Sequence, residues 1–202
     1  MASKSSSEAK NGVDFARVYL LGTRHQPRAL HVRPLTDVGD PFTLLRGESR
    51  PTGVPRFARV AGSEHTDLVG TTLPPLILVS NRLSAILERE NLTGWKAVPA
   101  VVEIEDALDD HAYSLLVVTG KSGRIDDSLS QRAILPPPAG GKASDGWRGL
   151  FFPPASWDRS DFFVPESTGY ICISDRARTA ISQARATNCR FEPLNRVQRL
   201  ML

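Results

Sequence analysis

Glu103, Glu105, Asp106, Asp109 and Asp110 place five carboxylates within eight residues, and His111 follows directly. Hard oxygen ligands at this density suit Ca²⁺ or Mg²⁺, but the glycine and ligand spacing of a calcium loop are missing. A solvated connection, or a docking patch for a basic partner, accounts for the charge more simply. Thr119-Gly120-Lys121-Ser122 ends like a phosphate-binding loop. That motif requires a glycine five residues before its Gly-Lys pair, where this chain has Leu115. A turn is the expectation there. His25, His31, His65 and His111 neither pair with one another nor stand at metal-ligand spacing from Cys172 or Cys189. No Gly-x-Ser-x-Gly elbow presents a nucleophile. Metal, cofactor and catalytic sets are therefore not expected.

Two arginines and a group of aromatic residues are more informative. Arg82 and Arg176 each fall one or two residues into a helix pattern, near the positive end of the helix dipole. Their recurrence predicts a specific acceptor, a carboxylate or carbonyl in a neighbouring segment, with a ligand contact as the other reading. Trp147, Phe151, Phe152, Trp157, Phe162 and Phe163 lie within seventeen residues. They plug the edge of a core or, if exposed, form interface anchors. Asp158 and Asp161 among them fit either role.

The elements that must position these groups follow from a repeat. Residues 76–99 (LILVSNRLSAILERENLTGWKAVP) and 170–193 (YICISDRARTAISQARATNCRFEP) align without gaps at an offset of 94. Ile77, Ser80, Arg82, Thr93 and Pro99 fall on Ile171, Ser174, Arg176, Thr187 and Pro193. Each copy reads as a short apolar strand, a Ser-(Asn/Asp)-Arg step able to cap a helix, an amphipathic helix, and a strand carrying proline. Leu83, Ile86, Leu87 and Glu90 mark the first helix stripe; Ala177, Ala180, Ile181 and Ala184 mark the second. Tyr113–Thr119 carries the strongest strand pattern, and weaker ones cover Asp14–Leu21 and Ala29–Pro34. The stretches 37–56, 57–73, 120–147 and 148–169 read as loop or irregular structure. The fold class expected is α+β, mostly antiparallel, with two pseudo-repeated strand-helix-strand units and long Pro/Gly-rich loops. Residues 1–12 read as a disordered leader. Residues 13–202 read as a single domain, with 13–119 and 148–202 as possible lobes.

The chain of 202 residues carries a net charge of only +3, with acids and bases interspersed, which gives little support to nucleic-acid binding. No run approaches the length of a membrane helix, and the polar leader lacks the apolar core of a signal peptide. A cytoplasmic location with buried free thiols at Cys172 and Cys189 is the expectation.

The steps Val79-Ser80-Asn81-Arg82 with Gly94-Trp95 and Pro99, then Trp157-Asp158-x-x-Asp161-Phe162 leading to Ile173-Ser174-Asp175-Arg176 and Phe191-x-Pro193, carry a resemblance. Residues 74–195 or so resemble immunity family eleven of bacterial polymorphic toxin systems. The resemblance implies a cytoplasmic protein without catalytic residues that binds a cognate toxin and blocks it. Contact residues do not transfer, because each such protein is matched to its own toxin. The acidic run and the loop 121–147 are the best candidates for contact: Glu103, Glu105, Asp106, Asp109, Asp110, Lys121, Arg124 and Trp147, joined by Trp157 and Asp158. A carboxylate-rich surface would complement the basic cleft of a nuclease-type toxin. A nucleic-acid-binding module using Arg190, Arg196 and Arg199 is the second reading. An enzyme whose site assembles only in three dimensions is the third.

Overall fold

The computed structural model describes residues 12–24, 26–104, 107–108, 112–137 and 141–200. Strand β1 (Val18–Thr23) opens the fold, followed by β2 (His31–Pro34), helix α1 (Pro41–Leu45), β3 (Arg56–Ala61) and β4 (Leu68–Thr71). The first repeat supplies β5 (Ile77–Ser80), α2 (Asn81–Arg89) and β6 (Trp95–Ile104). Next come β7 (Ala107–Leu108), β8 (Tyr113–Val118), β9 (Gly120–Ser122), β10 (Gln131–Leu135), β11 (Ser144–Arg148) and β12 (Phe162–Pro165). The second repeat is β13 (Cys172–Ser174), α3 (Asp175–Gln183) and β14 (Cys189–Pro193), and β15 (Gln198–Leu200) closes the chain. The expected α+β class with mostly antiparallel sheets is the observed one. Among the described residues only β2–β4, β3–β6 and β9–β12 pair in parallel.

The two repeats are larger than the sequence pattern suggested. β4, β5, α2 and the start of β6 map onto β12, β13, α3 and the start of β14 at the same 94-residue offset. Each half then takes a further strand from outside its repeat. β8 pairs with β5 and β6, with Ser80 opposite Tyr113. β1 pairs with β13 and β14, with Ser174 opposite Val18. The first half closes, as β3-β2-β4-β5-β8-β6 with β3 returning to β6, into a six-stranded barrel. The second remains an open sheet, β14-β1-β13-β12-β9.

One apolar core runs through both halves, from Leu78, Leu83 and Val117 to Phe162, Ile173 and Ile181. A second gathers Val18, Leu150, Phe152, Phe163, Cys172, Leu194 and Val197. Full burial of Phe152, Phe162 and Phe163 contributes about 2 kcal/mol each, which assigns these aromatics to the core. Phe15 meets Phe151 and Phe152 edge-on at 5.0 and 5.1 Å, so the amino-terminal end packs on this second core.

Four stretches read as loop or irregular contain regular elements. β4 (LVGT) and β12 (FFVP) are buried at every position, so neither shows the alternation that marks a half-exposed strand. β3 begins at Arg56 and fills the start of 57–73; only Phe57 in it is buried, so it too lacks a regular alternation. α1 is a single short turn capped by Asp40, whose carboxylate accepts from the Phe42 and Thr43 N–H groups. The stretch 120–147 holds β9, β10 and β11. Its Gly120-Lys121-Ser122 segment is strand rather than the expected turn, since Phe163 and Val164 pair with Gly120 and Lys121.

Candidate functional site

The repeated Ser and Arg residues meet carboxylates that precede each repeat. Ser80 caps α2, its Oγ accepting from the Leu83 N–H at 3.1 Å and donating to Asp67 Oδ1 at 2.7 Å. Arg82 donates through Nε to Asp67 Oδ1 at 3.0 Å and through Nη2 to Oδ2 at 2.5 Å. In the second unit Ser174 Oγ accepts from Ala177 N–H at 3.1 Å and donates to Asp161 Oδ1 at 2.7 Å, and Arg176 Nη1 donates to Asp161 Oδ2 at 2.9 Å. The guanidinium expected to lack a favourable place at a helix start thus has a carboxylate beside it in both copies.

Each carboxylate also grips the opposite repeat. Asp67 Oδ2 accepts from Thr187 N at 2.7 Å and from its hydroxyl at 2.9 Å. Asp161 Oδ2 accepts from Thr93 N at 3.0 Å and from its hydroxyl at 3.3 Å. Arg82 Nη1 reaches Ala184 O at 3.2 Å, the end of the other helix, and Arg176 Nη2 reaches Glu90 O at the matching position. Two reciprocal staples therefore lock the units face to face. Burial of the Asp67 carboxyl raises its pKa, and the hydrogen bonds from Arg82, Thr187 and Ser80 outweigh that effect and bring it down to about 2. Asp67 and Asp161 also stand 94 residues apart, as do Thr93 and Thr187. Extending the repeat upstream from Leu76 would have revealed the two aspartates.

Beside the first staple lies a crevice of about 390 Å³, lined by His65, Thr66, Asp67, Ser80, Asn81, Arg82, Ala112, Tyr113 and Thr187. His65 Nδ1 lies 3.3 Å from the Tyr113 hydroxyl, and the two rings stack at 20° with centroids 6.5 Å apart.

The contact candidates do not come together as one surface. Glu105, Asp106, Asp109 and Asp110, together with His25 and His111, lie outside the described residues, as does the leader up to Asn11. Glu103 is held in a pair with Arg56, its Oε1 accepting from Nε at 2.7 Å. Trp157 and Asp158 serve the fold: the indole packs against Phe163 at 4.9 Å, and the carboxylate accepts from Lys121 N at 2.8 Å and Ser160 N at 3.0 Å. Lys121 and Arg124 lie at the surface, Arg124 donating to Glu166 at 3.0 Å. Trp147 belongs to β11, with the Arg132 guanidinium 5.9 Å from its ring.

Strands β10, β11 and β15 form a separate three-stranded sheet. Cross-strand register puts Arg132 and Ile134 of β10 on the same face as Trp147 and Asp145 of β11. Ile134 is 76 % exposed, the most of any large apolar side chain described. Two of the three basic tail residues are matched by carboxylates: Arg199 pairs with Asp127, and Arg190 with Glu192 at 2.9 Å. Cys172 and Cys189 are free and buried, and loss of hydration pushes the Cys189 thiol up to about 12 and Cys172 higher still. Among the described residues no three His, Cys, Asp or Glu side chains gather as a metal set, and no helix is long and apolar enough to cross a membrane.

Compared with models of known protein families and with curated proteins, the sequence has no significant match.

Proposed function

We propose that the chain is an immunity protein, a cytoplasmic binder that neutralises a cognate bacterial toxin by direct contact. The observation that carries this reading is the β10–β11–β15 sheet. It stands outside the duplicated frame, and it presents Ile134 between Arg132, Asp145 and Trp147. An exposed apolar residue ringed by charged and aromatic side chains has the anatomy of an interface centre. The polar groups common to both repeats are spent in holding the units together, so partner choice falls to residues outside them. Arg124 and Trp147 from the sequence-derived candidates belong to this segment or border it. Pairing of Arg190 and Arg199 with carboxylates weakens the nucleic-acid alternative, which depends on free cations.

Co-expression with the toxin encoded beside this gene tests the reading: rescue of growth and co-purification are the expected results. Ile134→Asp should lower affinity at least thirtyfold, about 2 kcal/mol, while leaving the thermal midpoint nearly unchanged. A toxin that neither co-purifies nor is neutralised would rule the function out.

A further inference from the structure

We propose that the crevice at the start of α2 receives an arginine side chain from a protein partner. The second unit contains the model for this contact. Position by position, the crevice residues Thr66, Asp67, Ser80, Arg82 and Thr187 have the like counterparts Ser160, Asp161, Ser174, Arg176 and Thr93. The others differ in one direction. Asn81 stands where the second unit has Asp175, and His65 where it has Arg159. By strand register, Ala112 stands where the second unit has Arg17, and Tyr113 where it has Val18.

In the second unit those positions are filled internally. Arg17 lies across the start of α3, donating from Nη2 and Nε to Asp175 Oδ2 at 2.6 and 3.2 Å, and the Tyr19 hydroxyl donates to Oδ1 at 3.2 Å. In the first unit the guanidinium is gone, its acceptor is a neutral amide, and the 390 Å³ crevice is open. That volume lies within the range of side-chain and small-ligand pockets. The Asn81 side-chain amide makes no hydrogen bond among the described residues, so Oδ1 is available to accept where the Asp175 carboxylate does. Ser84, one turn further along α2, stands where Arg178 does, and its buried hydroxyl has no partner among the described residues.

The chemistry favours guanidinium over ammonium. A planar, weakly hydrated cation can lie along an aromatic wall and still donate in its own plane. The stacked His65 and Tyr113 rings supply such a wall, and Asn81 supplies an acceptor at the helix start. Asp67 balances Arg82, so this side-chain pair adds no net charge, and a ligand cation has only the positive end of the α2 dipole to offset. The chain also reaches Ala112 through the acidic run that begins at Glu103. The origin of the arginine in a toxin rests on the function proposed above; the pocket itself does not.

The test uses the full chain and N-acetyl-arginine amide, followed by two-dimensional amide NMR. Saturable shifts of the Asn81 side-chain amide and the Ala112 N–H are expected, with a Kd of roughly 1–10 mM, as befits one side chain. The lysine analogue should bind at least threefold more weakly, and acetate should leave these signals in place. The double variant Asn81→Asp with Ala112→Arg copies the internal pair of the second unit and should abolish the arginine response. Ala112→Arg alone serves if the double variant loses its dispersed spectrum. No response to the arginine probe at about ten times that Kd, an equal response to acetate, or undiminished binding by a well-folded Ala112→Arg chain would each overturn the proposal. Because no toxin is present, a failed neutralisation experiment and a failed pocket experiment are distinguished.

Discussion

The two halves of this molecule use the same staple and surround it differently. Around Asp161, the neighbouring positions hold Arg17, Arg159 and Asp175, and charge covers the helix start. Around Asp67, they hold Ala112, His65 and Asn81, and a crevice remains. The halves diverge again in how their sheets end. β3 closes the first into a barrel, whereas the positions matching β3 in the second, 150–155, form no strand and its sheet stays open, with β10 and β11 in a separate sheet. A duplicated frame held by internal hydrogen bonds tolerates such divergence, because neighbours of the staple are free to change while the staple itself is not. The lesson is that repetition marks what the fold needs, and departure from it marks where a partner can be read.

The sharpest way to probe the comparison is to remove each aspartate in turn. Asp67 accepts five hydrogen bonds, including both from Thr187 at 2.9 Å or less. Asp161 accepts four, and its bonds from Thr93 are 3.0 and 3.3 Å. Asp67→Ala should therefore cost about 3 kcal/mol in urea denaturation, and Asp161→Ala less. A larger loss at Asp161 would reverse the ranking of the two staples.

Gly94 and Asn188 occupy the same position in the two repeats, with φ of 81° and 58°. A Cβ on Gly94 would sit 2.1 Å from Phe162 O, whereas Asn188 carries its side chain there and donates from Nδ2 to Leu68 O at 2.8 Å. Gly94→Ala is expected to cost about 2 kcal/mol or more through clash and a left-handed backbone. Asn188→Gly should cost about 1 kcal/mol: it loses two side-chain hydrogen bonds, Nδ2 to Leu68 O and Arg24 N to Oδ1, offset in part by glycine's ease at positive φ. Equal costs at the two positions would mean that the backbones are not equivalent.

A gentler perturbation is pH. The Asp67 carboxyl is held at about 2 in the folded state, below its ordinary value of 3.8. A depressed carboxylate stabilises the fold above its unfolded pKa, and the contribution fades as pH falls through the interval down to the folded value. Stability of the native chain should therefore decline between about pH 4 and pH 2, and Asp67→Asn should decline less over the same interval. The smallest expected signal is thiol chemistry. At pH 8 the free, buried Cys172 and Cys189 should resist iodoacetamide in the native protein and react on unfolding, as followed by mass spectrometry.

Much of the frame was legible in the chain. Ser80 and Ser174 as caps, the α2 stripe of Leu83, Ile86 and Leu87, and the span of β6 all follow from neighbours within a few residues. The acceptors of Arg82 and Arg176 were foreseen in kind but not in identity. β4 and β12 escaped notice because strands buried on both faces show no alternation. The exposed position of Ile134 escaped it because sequence carries no record of which face of a short strand is covered.

The sequence by itself determined the duplicated strand-helix-strand unit, since caps, helical periodicity and the 94-residue offset are short-range or self-referential signals. Tertiary structure alone decided which carboxylate serves which threonine, across 120 residues for Asp67 and Thr187 and 68 for Asp161 and Thr93. It also decided that β1, from the amino-terminal end, pairs with β13 and β14, and that of the two matching helix starts the one opposite Ala112 keeps an open crevice. Each of these is a choice among distant partners with similar local preferences, and only the shared core and its closed hydrogen-bond network separate them in energy.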